Sequence, residues 1–194
     1  MARPIEIDRH QAFEIAVQLF WRQGYKSTSL QQLLDAMAIG KSSFYAAFES
    51  KEALFLDVLK HYCNETKVTL DTIRETQQGL AAIQAFLEQT LLDISDEVRG
   101  RGCLAVNSAL ELAGVDRELH DKASHCLFQL ELELRSLLSE AQTKGEVDLD
   151  QSPEQLASLL IVLLQGLRVA SRRGMTRSEA SVTVSNLMQL IRDE

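Results

Sequence analysis

A chain of 194 residues is long enough for one domain or two closely packed ones, with a sizeable buried core. Hydrophobic residues make up 45% and charged residues 25%, with two prolines and nine glycines, a mix that excludes collagen-like, disordered and disulfide-scaffold classes. The net charge of -8 argues against coating nucleic acid or acidic membranes by bulk electrostatics. That average hides a split. Residues 1–52 hold six basic side chains (Arg3, Arg9, Arg22, Lys26, Lys41, Lys51) and six acidic ones, whereas residues 53–194 hold 14 basic and 22 acidic. A polyanion-binding surface is therefore expected in the first fifty residues.

The longest uncharged run, Gln155 to Leu167, has 13 residues. A membrane-spanning helix needs roughly 18 to 20, so neither a transmembrane helix nor a membrane partner is expected. No apolar stretch of signal-peptide type precedes Phe13, and the cysteines, Cys63, Cys103 and Cys126, are odd in number and widely spaced. Both features point to a reducing cytoplasm.

Apolar residues recur at helical spacing along the chain, as in Ile83, Phe86, Leu87, Thr90, Leu91 and Ile94 or Leu156, Leu159, Leu160, Leu163, Leu164 and Leu167. Glycines at 24, 79, 100, 102, 114, 145 and 174 stand where these periods stop. No hairpin signal competes, and the predicted fold is all-α. The expected helices are nine, at about 8–23, 29–36, 40–47, 51–77, 80–95, 102–113, 117–144, 153–172 and 177–192. Thr28 to Gln31 and Thr176 to Glu179 have capping-box spacing, and Ser152-Pro153-Glu154 marks a third helix start.

The second and third predicted helices are short and joined by a few residues behind a longer one. This is a helix-turn-helix arrangement, whose second helix can enter the major groove. Phe13, Ala16, Val17 and Phe20 face a small core with Leu30, Leu33, Leu34, Phe44 and Phe48, which leaves Lys41, Ser42, Ser43, Tyr45, Ala46 and Ala47 outward. Such short, donor-rich residues let a helix backbone approach a groove.

The run AFEIAVQLFWRQGYKSTSLQQLLDAMAIGKSSFYAAFESKEALF, Ala12 to Phe55, resembles the DNA-binding domain of the tetracycline-repressor (TetR) family of bacterial one-component regulators. The likeness lies in Leu19-Phe20 with Gly24-Tyr25, the Thr28-Ser29 cap, the Lys41, Ser43, Tyr45, Phe48 spacing and the Ser50-Lys51-Glu52 entry to the fourth helix. The resemblance implies base-edge contacts by Lys41, Ser42 and Ser43, groove-facing Ala46 and Ala47, and phosphate contacts by Thr28, Tyr45 and Lys51. Ala38 stands where many members have a turn glycine, so it must take a positive φ or the turn is built differently. The resemblance divides the chain into a DNA-binding domain at 1–52 and a ligand-binding and dimerisation domain at 53–194. It also implies a small-molecule inducer in a cavity among helices four to eight, release of a palindromic operator, and a homodimer.

By position, the candidate cavity residues are Phe86, Asn107, Phe128, Gln165 and Arg168. The apolar stripes of the last two helices, Leu156, Leu160, Leu163 and Leu167 with Val184, Leu187, Met188 and Ile191, are the expected dimer interface. RGRGCLAVNSALELA, Arg99 to Ala113, resembles a Gly-Cys-Leu segment in a TetR subgroup that includes electrophile and oxidant sensors. Cys103, at a helix N-terminus with Arg99 and Arg101 upstream, is thus a candidate sensor thiol or simply a small core residue.

His61 with Cys63, His120 with His125, and His125 with Cys126 all lack ligand spacing, and no phosphate loop, GxSxG or HExxH occurs, so no metal, cofactor or catalysis is expected. The competing reading is an all-α protein-binding or scaffold module without specific DNA readout, which the near-neutral first domain keeps open. An enzyme using His120 or His125 as a base is a distant third.

Overall fold

The computed structural model describes residues 8–148 and 150–192, which form helices and no strand. α1 (Arg9–Gln23) starts where the Asp8 carboxylate accepts the Gln11 N–H at 3.1 Å, and ends at Gly24, φ 85°. α2 (Leu30–Met37) opens on a full capping box of Ser29 and Gln32, one residue beyond the Thr28–Gln31 pair expected from spacing. The shift has a physical cause: Thr28 is fully buried and its hydroxyl donates to the Gly24 carbonyl at 2.6 Å, so Ser29 is left to cap.

Ala38 closes α2 in the left-handed region, φ 54° and ψ 40°, which resolves the turn in favour of a strained alanine. α3 (Lys41–Phe48) and α4 (Lys51–Arg74) follow, α4 capped by Ser50 accepting from Ala53 N at 2.9 Å.

α5 (Gly79–Leu87) continues into a π-helical turn, Glu88–Leu92. The expected helix at 80–95 therefore ends early. A short α6 (Asp96–Arg101), unforeseen in the sequence, intervenes before α7 (Leu104–Leu112). Buried Arg99 explains this corner: its guanidinium donates to the Leu91 carbonyl at 3.0 Å and the Ile94 carbonyl at 3.0 Å, and pairs with Asp96 at 2.6 Å. It satisfies carbonyls that the end of the π turn leaves without helical partners. α8 (Arg117–Thr143), α9 (Pro153–Arg172) and α10 (Arg177–Ile191) complete the chain, α10 opening on the Thr176–Glu179 box as read.

Two hydrophobic cores result. One gathers Ala16, Phe20, Leu33, Phe44 and Phe48 of α1–α3 with Leu54, Phe55, Val58 and Leu59 of α4, and with Leu104, Leu112, Leu119 and Ala123 of α7 and α8. The other joins α5, the π turn and the ends of α4 and α8 to α9 and α10.

The second core corrects the expected dimer stripe. Leu160, Leu167, Val184, Leu187, Met188 and Ile191 are buried within this chain's own core, and Leu156 packs against it. α10 is laid along α5 and the π turn, tied by Arg192 to Gln84 at 3.2 Å and Arg177 to Asp93 at 3.0 Å, so its most apolar face is used internally. Of the expected set only Leu163 is exposed. It stands with Leu159, Val162 and Val169 of α9 and Val182 and Leu190 of α10, all outward. α9 is apolar on both faces, and its mean hydropathy of 1.2 makes it the one helix among the described residues long and apolar enough to cross a membrane by composition alone. Its inner face is bundle core, and its outer face, apolar as well, is exposed.

The cysteines supply a second correction. Cys63 of α4 and Cys126 of α8, which spacing left unrelated, are joined as a disulfide with Cα atoms 5.7 Å apart; Cys103 is free.

Left-handed backbone costs a non-glycine residue about 1–2 kcal/mol, and glycine brings back roughly 0.5–1 kcal/mol of that as unfolded-state entropy. Ala38→Gly is therefore expected to raise the unfolding free energy by about 0.5–1 kcal/mol in urea titration, with an unchanged m-value.

Candidate nucleic-acid interface and cavity

α3 buries Phe44 and Phe48 and half-buries Ser43 and Ala47, so its free face consists of Lys41, Ser42, Tyr45 and Ala46. That narrow, low-relief strip is what a helix needs to sit deep in a groove. The C-terminal end of α3 is held by Arg9, whose Nε donates to the Ala47 carbonyl at 3.2 Å while its guanidinium lies 5.8 Å from the Phe48 ring centroid. The sequence reading assigned Arg9 only as a charge.

Of the residues expected to hold phosphates, Tyr45 is exposed, Lys51 is half-buried with Nζ 4.2 Å above the Tyr25 ring, and Thr28 has its side chain sealed in the core. Burial lowers the Lys51 ammonium from its ordinary value and the Glu111 carboxylate opposes that. Thr28 thus shapes the loop, while Lys26, Ser27 and Ser29 face solvent around it.

Behind the reading face the three-helix unit is latched to α6 and α7. The Glu111 carboxylate of α7 accepts the backbone N–H groups of Tyr25 at 3.0 Å and Lys26 at 2.7 Å. Gly24 suits this place because its φ is positive, and a Cβ on it would push against Glu111 Oε2 at 2.5 Å and so displace the carboxylate from its loop N–H groups. Nearby, the Trp21 indole donates to the Gly102 carbonyl at 3.1 Å, Arg101 lies over the Trp21 ring at 5.7 Å and bonds Gln18, and Arg22 pairs with Glu97 at 3.2 Å. A lone glutamate on an amphipathic helix gives no signal of such a role in sequence.

Between α4, α5, α7, α8 and α9 lies a cavity of about 410 Å³, mainly apolar. It brings together Phe86, Cys103, Gln165 and Arg168 of the sequence candidates, with Leu59, Tyr62 and both disulfide cysteines unforeseen. Asn107 and Phe128 lie outside it. Asn107 donates to the Arg101 carbonyl at 2.9 Å and so caps α6, while Phe128 is 52% exposed on the outer side of α8. Burial pushes the Tyr62 hydroxyl above its ordinary value, the Cys103 sulfur beside it adds to this, and Arg168 opposes it. Arg99 and Arg101, read as activators of Cys103, are instead committed to the Leu91 and Ile94 carbonyls and to Glu97. Among the described residues no cluster of His, Cys, Asp and Glu could hold a metal ion.

Two family descriptions divide the chain at α4. Residues 13–58 match "Bacterial regulatory proteins, tetR family", and residues 79–184 match "Tetracyclin repressor-like, C-terminal domain". The chain belongs to the TetR family. In that family it is a DNA-binding transcriptional regulator whose helix-turn-helix is α2 and α3.

Among relatives, the HTH-type transcriptional repressor ComR of Escherichia coli (strain K12) is 27% identical over 176 residues, covering 89% of this chain and 83% of ComR. DhaR, a repressor from Mycobacterium sp. (strain GP1), is 27% identical over 178 residues, 91% of this chain and 89% of DhaR. Among solved structures, a cysteine-substituted form of the TetR-family regulator CifR, bound to 26-base-pair operator DNA, superposes with a TM-score of 0.83 at 30% identity, covering 96% of this chain and 98% of that one.

Removing Glu111 leaves two loop N–H groups without their charged acceptor, each worth about 1.5–3 kcal/mol. Glu111→Ala is expected to lower the unfolding free energy by at least about 2 kcal/mol. Native-state amide exchange at Tyr25 and Lys26 should accelerate far more than in the core of α4; equal acceleration at both places would contradict a local latch.

Proposed function

We propose that this TetR-family chain is a cytoplasmic repressor that binds a palindromic operator as a homodimer and lets go when a small molecule fills its cavity. The observation that carries the reading is the α3 face of Lys41, Ser42, Tyr45 and Ala46, standing free on a unit whose back is latched by Glu111 to α7, which also walls the cavity through Ala105 and Val106. Structures of CifR on operator DNA at 29–30% identity support it.

In this reading Lys41, Ser42 and the edge of Ser43 meet base edges, and Ala46 and Ala47 meet thymine methyls. Tyr45, Lys51 and the N–H groups around Thr28 meet phosphates. The division at residue 52 is one of labour, not of packing, because Leu54, Phe55, Val58 and Leu59 complete the N-terminal core. The two copies meet through the outer faces of α9 and α10, with Leu163 kept from the original expectation and Leu159, Val162, Val169, Val182 and Leu190 added. Gly166 supports this, since nothing lies within 4 Å of where its Cβ would be and it stands in the same outward row, leaving room for a close approach. The inducer has to favour the released conformation, since a ligand with equal affinity for both shifts nothing. The regulator acts by binding, not by catalysis.

Selection from random duplex DNA at near-physiological salt should enrich a palindrome. Recovery of no preferred sequence would overturn the reading. On the selected duplex, Tyr45→Phe should weaken all sequences several-fold, while Lys41→Ala should lose about 1–3 kcal/mol of discrimination at one base pair per half-site. Affinity should fall steeply with salt through counterion release; an apolar protein contact would scarcely respond.

Val162→Asp places a charge in the outward stripe and is expected to yield folded monomers in sedimentation velocity, with helicity unchanged by circular dichroism. A dimer that survives both Val162→Asp and Leu190→Asp would place the interface elsewhere.

A further inference from the structure

The cavity wall holds all three cysteines of the chain, and two of them clasp α4 to α8. The clasp sits at a mechanical junction. One turn before Cys63 is Leu59, a member of the N-terminal core, and the Cys126 sulfur lies 4.0 Å from the Leu59 carbonyl. One turn before Cys126 is Lys122, and Lys60 and Lys67 stand one turn before and after Cys63, all lining the same cavity. Lys60 is paired with Asp57 and Lys67 with Asp71 and Glu133, whereas Lys122 makes no ion pair among the described residues. The thiolate is the form of cysteine that reacts, and of these lysines Lys122, one turn from Cys126, is the one without a carboxylate partner among the described residues.

In a reducing compartment a disulfide is transient, and those that form serve catalysis or redox sensing rather than stability. We propose that Cys63 and Cys126 are a reversible oxidation site for hydroperoxides, whose closure fixes α4 against α8 and weakens operator binding. The proposal rests on the operator-binding reading above and adds a chemical signal to it, carried by a pair distinct from Cys103. A thiolate of the pair attacks the outer oxygen of a hydroperoxide. The O–O bond breaks, the alkoxide leaves and takes a proton to become an alcohol, and sulfur holds OH as a sulfenic acid. The second thiol then attacks that sulfur, the S–S bond forms, and OH leaves with the thiol's proton as water. Two electrons pass from the sulfurs to the peroxide, so two thiols and one ROOH become one disulfide, ROH and H2O. A dithiol reductant reverses the reaction by exchange.

The direction follows from position. A repressor's resting state in a reducing compartment is the dithiol form holding DNA. Closing the bridge removes the relative freedom of α4 and α8 on which the placement of α1–α3 depends, because Leu54, Phe55, Val58 and Leu59 of α4 are built into their core.

The test titrates the full-length protein with cumene hydroperoxide and reads three quantities. Intact mass and peptide mapping should show a Cys63–Cys126 bridge after about one equivalent, with Cys103 still alkylatable. Anisotropy with the duplex selected by the reduced protein should show at least tenfold weaker binding after oxidation, restored by dithiothreitol, retained in Cys103→Ser and absent in Cys63→Ser and in Cys126→Ser. Amide exchange across α4 should slow on oxidation in the wild-type protein, a readout that needs no DNA and no variant. Equal affinity of the two redox forms with the bridge confirmed would overturn the proposal, as would a response that persists without Cys63 and Cys126, or unchanged α4 exchange. Failure to select any duplex in the reduced state, with α4 exchange still slowed by the bridge, would instead sink the operator reading and leave the redox site standing.

Discussion

The placement of the DNA-reading unit depends on how α1–α3 are fastened to the rest of the chain, and one fastening is a carboxylate. Glu111 accepts two consecutive backbone N–H groups in the loop after α1, at 3.0 and 2.7 Å. Charge-assisted bonds of this kind hold geometry as well as energy, and a side chain at Gly24 would displace the carboxylate that accepts them. The Trp21–Gly102 bond and the Arg22–Glu97 pair widen the contact from a point to a patch. Another attachment is α4, continuous in chain with α3 and packed into its core. With Leu104, Leu112, Leu119 and Ala123 of α7 and α8 in the same core, the unit follows α4, α7 and α8, all three of which wall the cavity.

That rigidity bears on how a nearly neutral domain reads a polyanion. With equal numbers of acidic and basic residues before position 53, affinity has to come from well-placed donors. The α3 face has one lysine and two small side chains beside a phenol, and it is stiffened from below by Phe44 and Phe48 and at its end by Arg9. Preorganisation lowers the entropy lost on binding. Ala38 contributes by fixing the turn: a strained residue persists where the packing on either side over-determines it, here Met37 and Leu34 behind and half-buried Ile39 ahead.

What the sequence disclosed and what it hid have different physics. Helix existence was legible because burial imposes a period of about 3.6 residues, and helix starts because caps are local, although the Ser29–Gln32 box was misread by one position since two adjacent hydroxyls compete for it. The reading face of α3 was legible because Phe44 and Phe48 fix which side is inward. On α9 the same logic failed: both faces are leucine- and valine-rich, so periodicity could not say that Leu160 and Leu167 go inward while Leu159 and Val162 stay out. Glu111, Arg99 and the Cys63–Cys126 pair were hidden for other reasons. Glu111 reaches across 86 residues to Tyr25 and Cys63 across 63 to Cys126, while Arg99 acts on carbonyls only five and eight residues away that are freed by a π turn no local signal announces.

The strength of the latch limits which conformational changes a cavity ligand of the proposed kind could drive. Moving a two-state equilibrium from one extreme to the other takes a differential affinity of about 5.5 kcal/mol. A latch of two charge-assisted bonds is worth roughly 3–6 kcal/mol if broken outright, which would absorb nearly all of that. A conformational change that preserves the Glu111 contacts and moves α1–α3 as one body with α7 therefore costs far less than one that breaks them. The compliant joint must then be on the α4 side, where the lower half of the helix is N-terminal core and the upper half lines the cavity. Cys63 lies at that joint, four residues past Leu59, and a covalent tie placed there to α8 acts on the one freedom the latch leaves open.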